Sequence, residues 1–247
     1  MRLDQLATQI NNFLWHFGLR LNRAPPWSDR RRMRLIQTRN ITAVIDVGAN
    51  VGQYATQLRK LGYQGWIYSY EPLPEAFARL QARARSDPKW RVFQLAVGDS
   101  AEPVTLHIAG NSESSSILDM AQRHLDAAPV SKFVGSVIVP STSLDGILGE
   151  LPAQPTLLKI DTQGYEGRVL AGGAGSLHKI ELLEIELSFF EVYVGQPLFR
   201  QIDALLLAAG FELVSLAEGE AFFDQRTGEL LQIDGIYARR HGIPPGK

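Results

Sequence analysis

The sequence predicts an α/β protein built on a doubly wound, mostly parallel β-sheet. From Ile41 onward, short apolar runs alternate with segments of helical period, which is the pattern of βαβ units. Three of the apolar runs end in an acidic residue, at Asp46, Glu71 and Asp161. The chain of 247 residues is long enough for one such domain with an N-terminal extension. We therefore expect a sheet covered by helices on both faces.

The first half of the predicted domain alternates regularly. Gly62 follows the first predicted helix and terminates it, and Pro74 stands in the first turn of the second, where its missing N–H costs nothing. The predicted strands cover 43–47, 66–71 and 90–96, and the predicted helices cover 52–61 and 74–86.

Residues 101–140 break this rhythm. We expect a strand over 104–108, a polar serine-rich loop over 110–116, a short helix over 117–128 and an extended segment over 134–140. Because long irregular segments inside a domain are usually functional, we interpret 101–140 as a lid or substrate-binding insertion between strands three and four.

The second half resumes the alternation. A short helix begins near Thr142 and Ser143, which are good N-cap residues. Strand four (156–160) ends at Asp161, and strand five covers 180–187. Helices are expected over 166–171 and 198–209. Segments 211–216 and 231–237 read as a closing antiparallel pair. The whole predicts seven strands, mostly parallel, with an antiparallel last strand.

The turn after the first strand carries the clearest ligand signal. Asp46 ends the strand, and Gly48 and Gly52 follow, so that backbone N–H groups can approach a ligand closely. Glu71 ends the second strand 25 residues after Asp46, where an acid can accept hydrogen bonds from a ribose. This D-x-G-x-x-x-G loop differs from the dinucleotide fingerprint, and its acid suits a cation. The residues favour S-adenosylmethionine, which carries an ammonium, a sulfonium and a ribose.

Five blocks resemble the FkbM family of S-adenosylmethionine-dependent methyltransferases, over about residues 41–238. The most specific is Leu158–Glu166, which reads L-K-I-D-T-Q-G-Y-E. The family often has an acid where this chain has Gln163. The other blocks are Ile45–Gly52, Tyr70-Glu71-Pro72, Ala96–Asp99 and Ser141–Asp145.

The resemblance implies a class I methyltransferase fold, Rossmann-like, and O-methylation of a sugar hydroxyl in a glycan or of a natural-product scaffold. It places Asp161 beside the methyl group that is transferred and Ala96 and Val97 beside the adenine. The residues expected to bind the cofactor are Asp46, Gly48, Ala49, Asn50, Gly52, Glu71, Pro72, Ala96, Val97 and Asp161.

Methyl transfer to a hydroxyl needs a group that accepts the proton, and Asp161 is the first choice because strand tips line the site. Lys159 lies two residues earlier on the same face of an apolar strand, so it must be paired, with Asp161, Glu184 or Glu186. We therefore expect Asp161, Lys159 and Glu186 at the catalytic centre. His107 is the alternative base, and a divalent cation between Asp161 and Glu186 is the weaker alternative.

Composition limits the remaining classes. The chain has no cysteine, which excludes disulfides, thiolate catalysis and cysteine-bound zinc. No run reaches the ~20 apolar residues of a membrane span, and no signal peptide is evident, so we expect a cytoplasmic protein.

The charge is unevenly distributed. Residues 1–40 hold eight arginines and two aspartates, a net charge of +6, whereas the whole chain carries −1. We interpret 1–40 as a helical, arginine-rich extension, with an amphipathic helix over 4–19, and 41–247 as the methyltransferase domain. The arm, including Arg30-Arg31-Arg32-Met33-Arg34, is expected to dock on the domain, to form homo-oligomers or to recruit an acceptor at a membrane surface. A nucleic-acid methyltransferase is the alternative function, but the acidic domain and the missing base-methylation motif after strand four argue against it.

Overall fold

The structure is a computed structural model that describes residues 26–240, apart from the side chains of residues 218–220. The amphipathic helix expected over 4–19 lies outside the described residues. In chain order, the elements are α1 (Trp27–Thr38), β1 (Ala43–Val47), α2 (Gln53–Lys60), β2 (Trp66–Tyr70), α3 (Pro74–Ala84), β3 (Trp90–Phe93), β4 (Ala96–Gly98), β5 (Val104–Ala109), α4 (Gln122–Ala127), β6 (Phe133–Val139), β7 (Ser141–Ser143), α5 (Leu144–Glu150), β8 (Thr156–Ile160), α6 (Glu166–Ala171), β9 (Ile180–Ser188), α7 (Phe199–Ala208), β10 (Phe211–Phe223) and β11 (Leu230–Arg239).

The central sheet has seven strands in the order β10-β11-β9-β8-β1-β2-β3. Strands β3, β2, β1, β8 and β9 are parallel, and β11 runs antiparallel to both of its neighbours. The predicted fold class is therefore confirmed. The chain leaves β1 for β2 on one side and later returns to β8 on the other, so a crevice opens at the carboxyl ends of these strands.

The central strands are apolar because helices cover both of their faces. On β1, Ile45 and Val47 pack into the core cluster on one side, and Val44 packs into the cluster on the other. Asp46 lies on the same face as Val44, since side chains alternate along a strand. An acid is thus held at the end of a buried strand, directly below the crevice.

The structure corrects three details of the region after β2. The strand expected over 90–96 ends at Phe93, and Ala96–Gly98 pairs instead with Ser141–Ser143 in a separate two-stranded sheet. The helix expected over 117–128 covers only Gln122–Ala127. The residues before it are not helical, and Ser116 and Met120 form isolated β-bridges with His107 and Tyr193. The loop over 110–116 contains a short 3-10 turn at Ser112–Ser114, capped by Asn111.

The insertion 101–140 is organised by the antiparallel pair β5–β6. We call the part of it that crosses the crevice, residues 111–117, the lid. Hydrogen bonds to Asn50, Gln53 and Gln163 hold the lid beside the crevice. Among residues 26–240, no helix has the length and apolar character needed to cross a membrane.

Candidate functional site

A cleft of about 1070 Å³ opens at the carboxyl ends of β1, β2 and β8. It brings together nearly all of the residues expected to bind the cofactor and all three of those expected at the catalytic centre. Gly52 does not line the cleft. The predicted residues in its wall are Asp46, Gly48, Ala49, Asn50, Glu71, Pro72, Ala96, Val97, Lys159, Asp161 and Glu186.

Glycine is required where the turn after β1 meets the tip of β8. Gly48 has a φ of +81°, and a Cβ atom there would lie 1.7 Å from the main-chain oxygen of Asp161. The N–H groups of Gly48 and Ala49 both donate to Tyr70 O at 3.0 Å. Gly52 has a different task, because it packs against Leu80 and the Trp90 ring at the start of α2. The two glycines therefore shape the cleft, and only the first of them borders it.

Glu71 links the first two strand tips. Its Oε2 accepts a 2.7 Å hydrogen bond from the N–H of Asn50, and its Oε1 accepts one of 2.8 Å from the N–H of Leu73. Burial raises its pKa to about 7, although the two backbone N–H groups oppose this rise. A carboxylate oxygen has two lone pairs, so each oxygen keeps acceptor capacity for a ligand.

Asp46 lies beneath the cleft and is fully buried. Ser69 donates to its Oδ2 at 3.1 Å, and Trp90 donates to the Ser69 hydroxyl at 3.0 Å. Its Oδ1 has no hydrogen-bond partner among the described residues, and neither has Oδ1 of Asn50. Burial raises the pKa of Asp46 to about 6, against the attraction of Lys159.

These two unpartnered acceptors test whether the cleft suits S-adenosylmethionine. A buried acceptor without a donor is costly unless a ligand supplies one. The ammonium group of S-adenosylmethionine is such a donor, and its positive charge matches an acidic floor. The residues present therefore fit this cofactor.

Asp161 is held from two sides at the tip of β8. Lys159 Nζ donates to its Oδ2 at 2.9 Å, and Gln163 Nε2 donates to its Oδ1 at 2.7 Å. The Asp161 side chain is still 33% exposed, whereas that of Lys159 is 7% exposed. Burial disfavours the ammonium, but Asp161, Asp234 and Asp46 together hold the pKa of Lys159 above its ordinary value. Of the three partners that the sequence allowed for Lys159, the structure selects Asp161.

Gln163 connects Asp161 and Glu186 to the lid. Besides Asp161, its Nε2 contacts both carboxylate oxygens of Glu186 at 3.3 Å. Its Oε1 accepts a 2.8 Å bond from the Tyr193 hydroxyl, and its main-chain oxygen accepts one of 2.6 Å from Ser116. The resemblance to the family implied only that an acid is common at this position. The neutral amide of Gln163 contacts both Asp161 and Glu186, so these two carboxylates can lie side by side.

Glu186 is the second carboxylate of this pair. Gln232 donates to its Oε2 at 2.7 Å from β11. Burial raises its pKa well above the ordinary value, and the charges of Asp161, Glu166 and Asp234 add to the effect. Within residues 26–240, no group of three or more His, Cys, Asp or Glu residues is arranged to hold a metal ion.

Glu166 is the last residue of the Leu158–Glu166 block, and its hydrogen bonds show why an acid is needed there. Its Oε1 accepts hydrogen bonds from the N–H and the hydroxyl of Thr162, at 2.9 and 3.0 Å, and from the N–H of Gly164 at 3.2 Å. Glu166 therefore holds the turn that carries Asp161 and Gln163, and it is 3% exposed.

The other predicted acceptor-binding groups have internal partners. His107 is absent from the cleft wall; it stacks on Phe133 and lies 3.7 Å from Asp119. Ser115 accepts from the N–H of Ala109, and the Ser114 and Ser131 hydroxyls are 3.0 Å apart. The aromatic residues that follow β9, Phe189, Phe190 and Tyr193, pack against other protein groups. The structure therefore gives no support to His107 as the base.

The arginines of the cluster in the N-terminal arm differ in their exposure. Arg34 is exposed on α1, but Arg32 is 2% exposed and points into the protein. Its guanidinium binds Glu184 of β9 through Nε, at 2.9 and 2.8 Å, and Asp29 through Nη1 at 2.7 Å. No local sequence signal could have identified this contact, since 152 residues separate the partners.

Comparisons with known proteins identify the family of this chain. Residues 46–213 match the family model described as "Methyltransferase FkbM domain". Over 179 residues, the chain is 28% identical to the 2-O-methyltransferase NoeI of Sinorhizobium fredii (strain NBRC 101917 / NGR234); the match covers 70% of this chain and 73% of that protein.

Two solved structures are similar at lower identity. Magnesium protoporphyrin IX methyltransferase (ChlM) from Synechocystis PCC 6803 with bound SAM matches at 10% identity, with a TM-score of 0.48 over 97% of this chain and 85% of that one. The METTL16 MTase domain matches at 10% identity, with a TM-score of 0.47 over 96% and 79%. Since the family model spans more than half of the sequence, this chain belongs to the FkbM family and is an S-adenosylmethionine-dependent methyltransferase.

Proposed function

We propose that the protein methylates a hydroxyl group of a sugar, in a glycan or a natural product. The observation that carries this proposal is the exposure of Asp161 in the cleft together with its two hydrogen bonds. Its carboxylate is partly exposed in the cleft, and Lys159 and Gln163 fix both of its oxygens. The relative named as a 2-O-methyltransferase supports oxygen as the atom that is methylated.

The cofactor end of the cleft is formed by β1 and β2. Glu71 offers its remaining lone pairs to the ribose hydroxyls, and Asp46 and Asn50 offer unpartnered oxygens to the ammonium. When bound, S-adenosylmethionine supplies an electrophilic methyl group on its sulfonium. The acidic floor, with Asp46 and Asp161 near Lys159, favours a cationic ligand over an anionic one.

Asp161 acts as the proton acceptor at the other end. A sugar hydroxyl has a high pKa, so its oxygen becomes a good nucleophile only as its proton leaves. Each Asp161 oxygen accepts one hydrogen bond and retains a second lone pair for this proton. Lys159 and Gln163 hold the carboxylate plane in one orientation, which aligns the acceptor oxygen for in-line attack.

Polar groups of the lid line the cleft where it meets the turn after β1 and the start of α2. Ser112 Oγ lies 3.4 Å from Nδ2 of Asn50, and Glu113 accepts a 3.0 Å bond from Gln53. Both lid residues are exposed and line the cleft. A wall of hydroxyl, amide and carboxylate groups matches the many hydroxyls of a sugar better than it matches an apolar ring.

The test has two parts. Calorimetry with S-adenosylhomocysteine should show binding, and mass spectrometry should detect O-methyl products with members of a panel of neutral glycans. Asp161→Asn should lower turnover by ~10²–10⁴-fold with little change in cofactor affinity. Asp126→Asn, an exposed substitution on α4, is the matched control.

Two results would contradict the proposal. Near-normal turnover in Asp161→Asn would place the base elsewhere. Methylation of RNA or DNA without any glycan product would favour the nucleic-acid alternative.

A further inference from the structure

Charged and polar side chains form a row across one face of the sheet. Strand register places Ser69, Asp46, Lys159 and Glu184 side by side on β2, β1, β8 and β9. Each of them is at most 5% exposed. Buried charges are costly unless they are paired, so the pairing within this row must be well defined.

Lys159 is surrounded by carboxylates, and the charge of Asp234 on β11 also acts on it. Asp46 and Glu184 flank it on the neighbouring strands, and Asp161 lies two residues further along its own strand. Its hydrogen bond goes to Asp161, at 2.9 Å. Other groups must therefore prevent the Lys159 ammonium from pairing with the neighbouring Glu184.

Glu184 is already saturated by other donors. Arg32 donates to both of its oxygens: Nη2 lies 2.5 Å from Oε1, and Nε lies 2.9 Å from Oε1 and 2.8 Å from Oε2. The Tyr54 hydroxyl donates to its Oε2 at 2.7 Å. Both cations also approach the Tyr54 ring, with Lys159 Nζ 5.4 Å and the Arg32 guanidinium carbon 5.2 Å from its centroid.

Arg32 is itself held in place from α1 and α2. Asp29 binds its Nη1 at 2.7 Å, and Gln57 donates to the other Asp29 oxygen at 2.8 Å. Arg32 and Asp29 precede the residues 46–213 that match the family model. A segment outside that match thus reaches Glu184 on β9, the neighbour of Lys159 on β8.

We propose that Arg32 and Tyr54 are positioning residues: by neutralising and occupying Glu184, they direct Lys159 to Asp161. The inference deepens the proposed function, on which it rests for the role of Asp161 as the base. Without Arg32, an unpaired Glu184 carboxylate attracts the Lys159 ammonium, and Asp161 loses the donor that fixes its Oδ2.

The experiment compares Arg32→Gln with the double variant Arg32→Gln/Glu184→Gln in the full chain. Arg32→Gln should lower kcat about 10- to 100-fold, because the carboxylate is no longer held in its working orientation. The affinity for S-adenosylhomocysteine should change much less. The double variant removes the competing carboxylate, so it should regain most of the lost kcat. Arg34→Gln, exposed on the same helix, is the matched control.

Crystal structures of the variants give a readout that needs no acceptor. In Arg32→Gln, Lys159 Nζ should move from Asp161 to Glu184, and in the double variant it should return. If Arg32→Gln does not fold, Arg32→Lys keeps the charge without the bidentate fork and should give a smaller loss of the same kind.

The outcomes separate the two proposals. An Arg32→Gln structure in which Lys159 stays on Asp161, or a double variant that does not regain kcat, would overturn the positioning role. If Lys159 moves as described but Asp161→Asn retains normal turnover, the positioning role stands and Asp161 is not the base.

Discussion

The contact between the tips of β1 and β8 can be tested with one methyl group. Gly48→Ala places a Cβ atom 1.7 Å from the main-chain oxygen of Asp161, whereas real Cβ atoms essentially never approach closer than 3.0 Å. The obstructing atom belongs to the backbone, so it cannot rotate away. The two strand tips must separate by more than ~1 Å, or the turn must change conformation.

A second glycine isolates the effect of the clash. Gly62 has a φ of +93°, close to the +81° of Gly48, but a Cβ atom at Gly62 would have no other atom within 4 Å. Gly62→Ala should therefore cost only the strain of a left-handed residue, ~1–2 kcal/mol of unfolding free energy. Gly48→Ala adds a steric conflict of ~1–3 kcal/mol, for a total of ~2–5 kcal/mol.

The two variants should differ more in turnover than in unfolding free energy. The shift forced by Gly48→Ala moves Asp161 relative to the cofactor end of the cleft, so turnover should fall by about 10²-fold. Gly62→Ala should retain turnover and affinity for S-adenosylhomocysteine. Urea denaturation measures stability, calorimetry measures affinity, and a methylation assay measures turnover. Equal losses of stability together with equal turnover in the two variants would refute the reasoning.

Three further predictions address the acids and the arm. The raised pKa of Glu71, about 7 against an ordinary 4.5, means that the folded protein holds this proton more tightly than the unfolded chain does, so stability should decline as the pH rises through that window. Glu71→Gln should reduce this decline in thermal unfolding measured from about pH 5 to 8; an unchanged pH profile would contradict the shift. Gln163→Glu should lower kcat, because it places a third carboxylate beside Asp161 and Glu186 and removes a donor from both; a normal kcat would show that the amide is dispensable. Deleting residues 1–25, which leaves α1 intact, should preserve cofactor affinity. If these residues recruit an anionic acceptor, KM should rise and added salt should reproduce the rise in the intact enzyme, whereas a KM independent of salt would exclude recruitment.

The sheet could be predicted from the sequence because its determinants are local. Strands buried on both faces appear as continuous apolar runs, and the acids at their ends mark the tips. Asp46, Glu71 and Asp161 could therefore be assigned to one crevice before any contact was known. The closing antiparallel pair was also visible, from its two β-rich segments and the turn between them.

Features that depend on distant partners could not be predicted. The pairing of Ala96–Gly98 with Ser141–Ser143 joins segments more than 40 residues apart, and neither is a long strand by itself. Gln163 was visible as a residue, but its four contacts come from the tip of β8, from β9, from the segment after β9 and from the lid. Arg32 resembled its exposed neighbours in the arginine cluster, since only the fold shows which member of a helix faces inward.

The hydrogen bonds between the lid and Gln163 also connect the lid to Asp161. Ser116 and Ser114 of the lid bond to the same Gln163–Tyr193 pair that orients Asp161. A movement of the lid away from the cleft would break these bonds and free the Gln163 side chain, while Lys159 would keep its own hydrogen bond to Asp161. The position of the lid is therefore coupled to one of the two donors that orient the carboxylate proposed as the base.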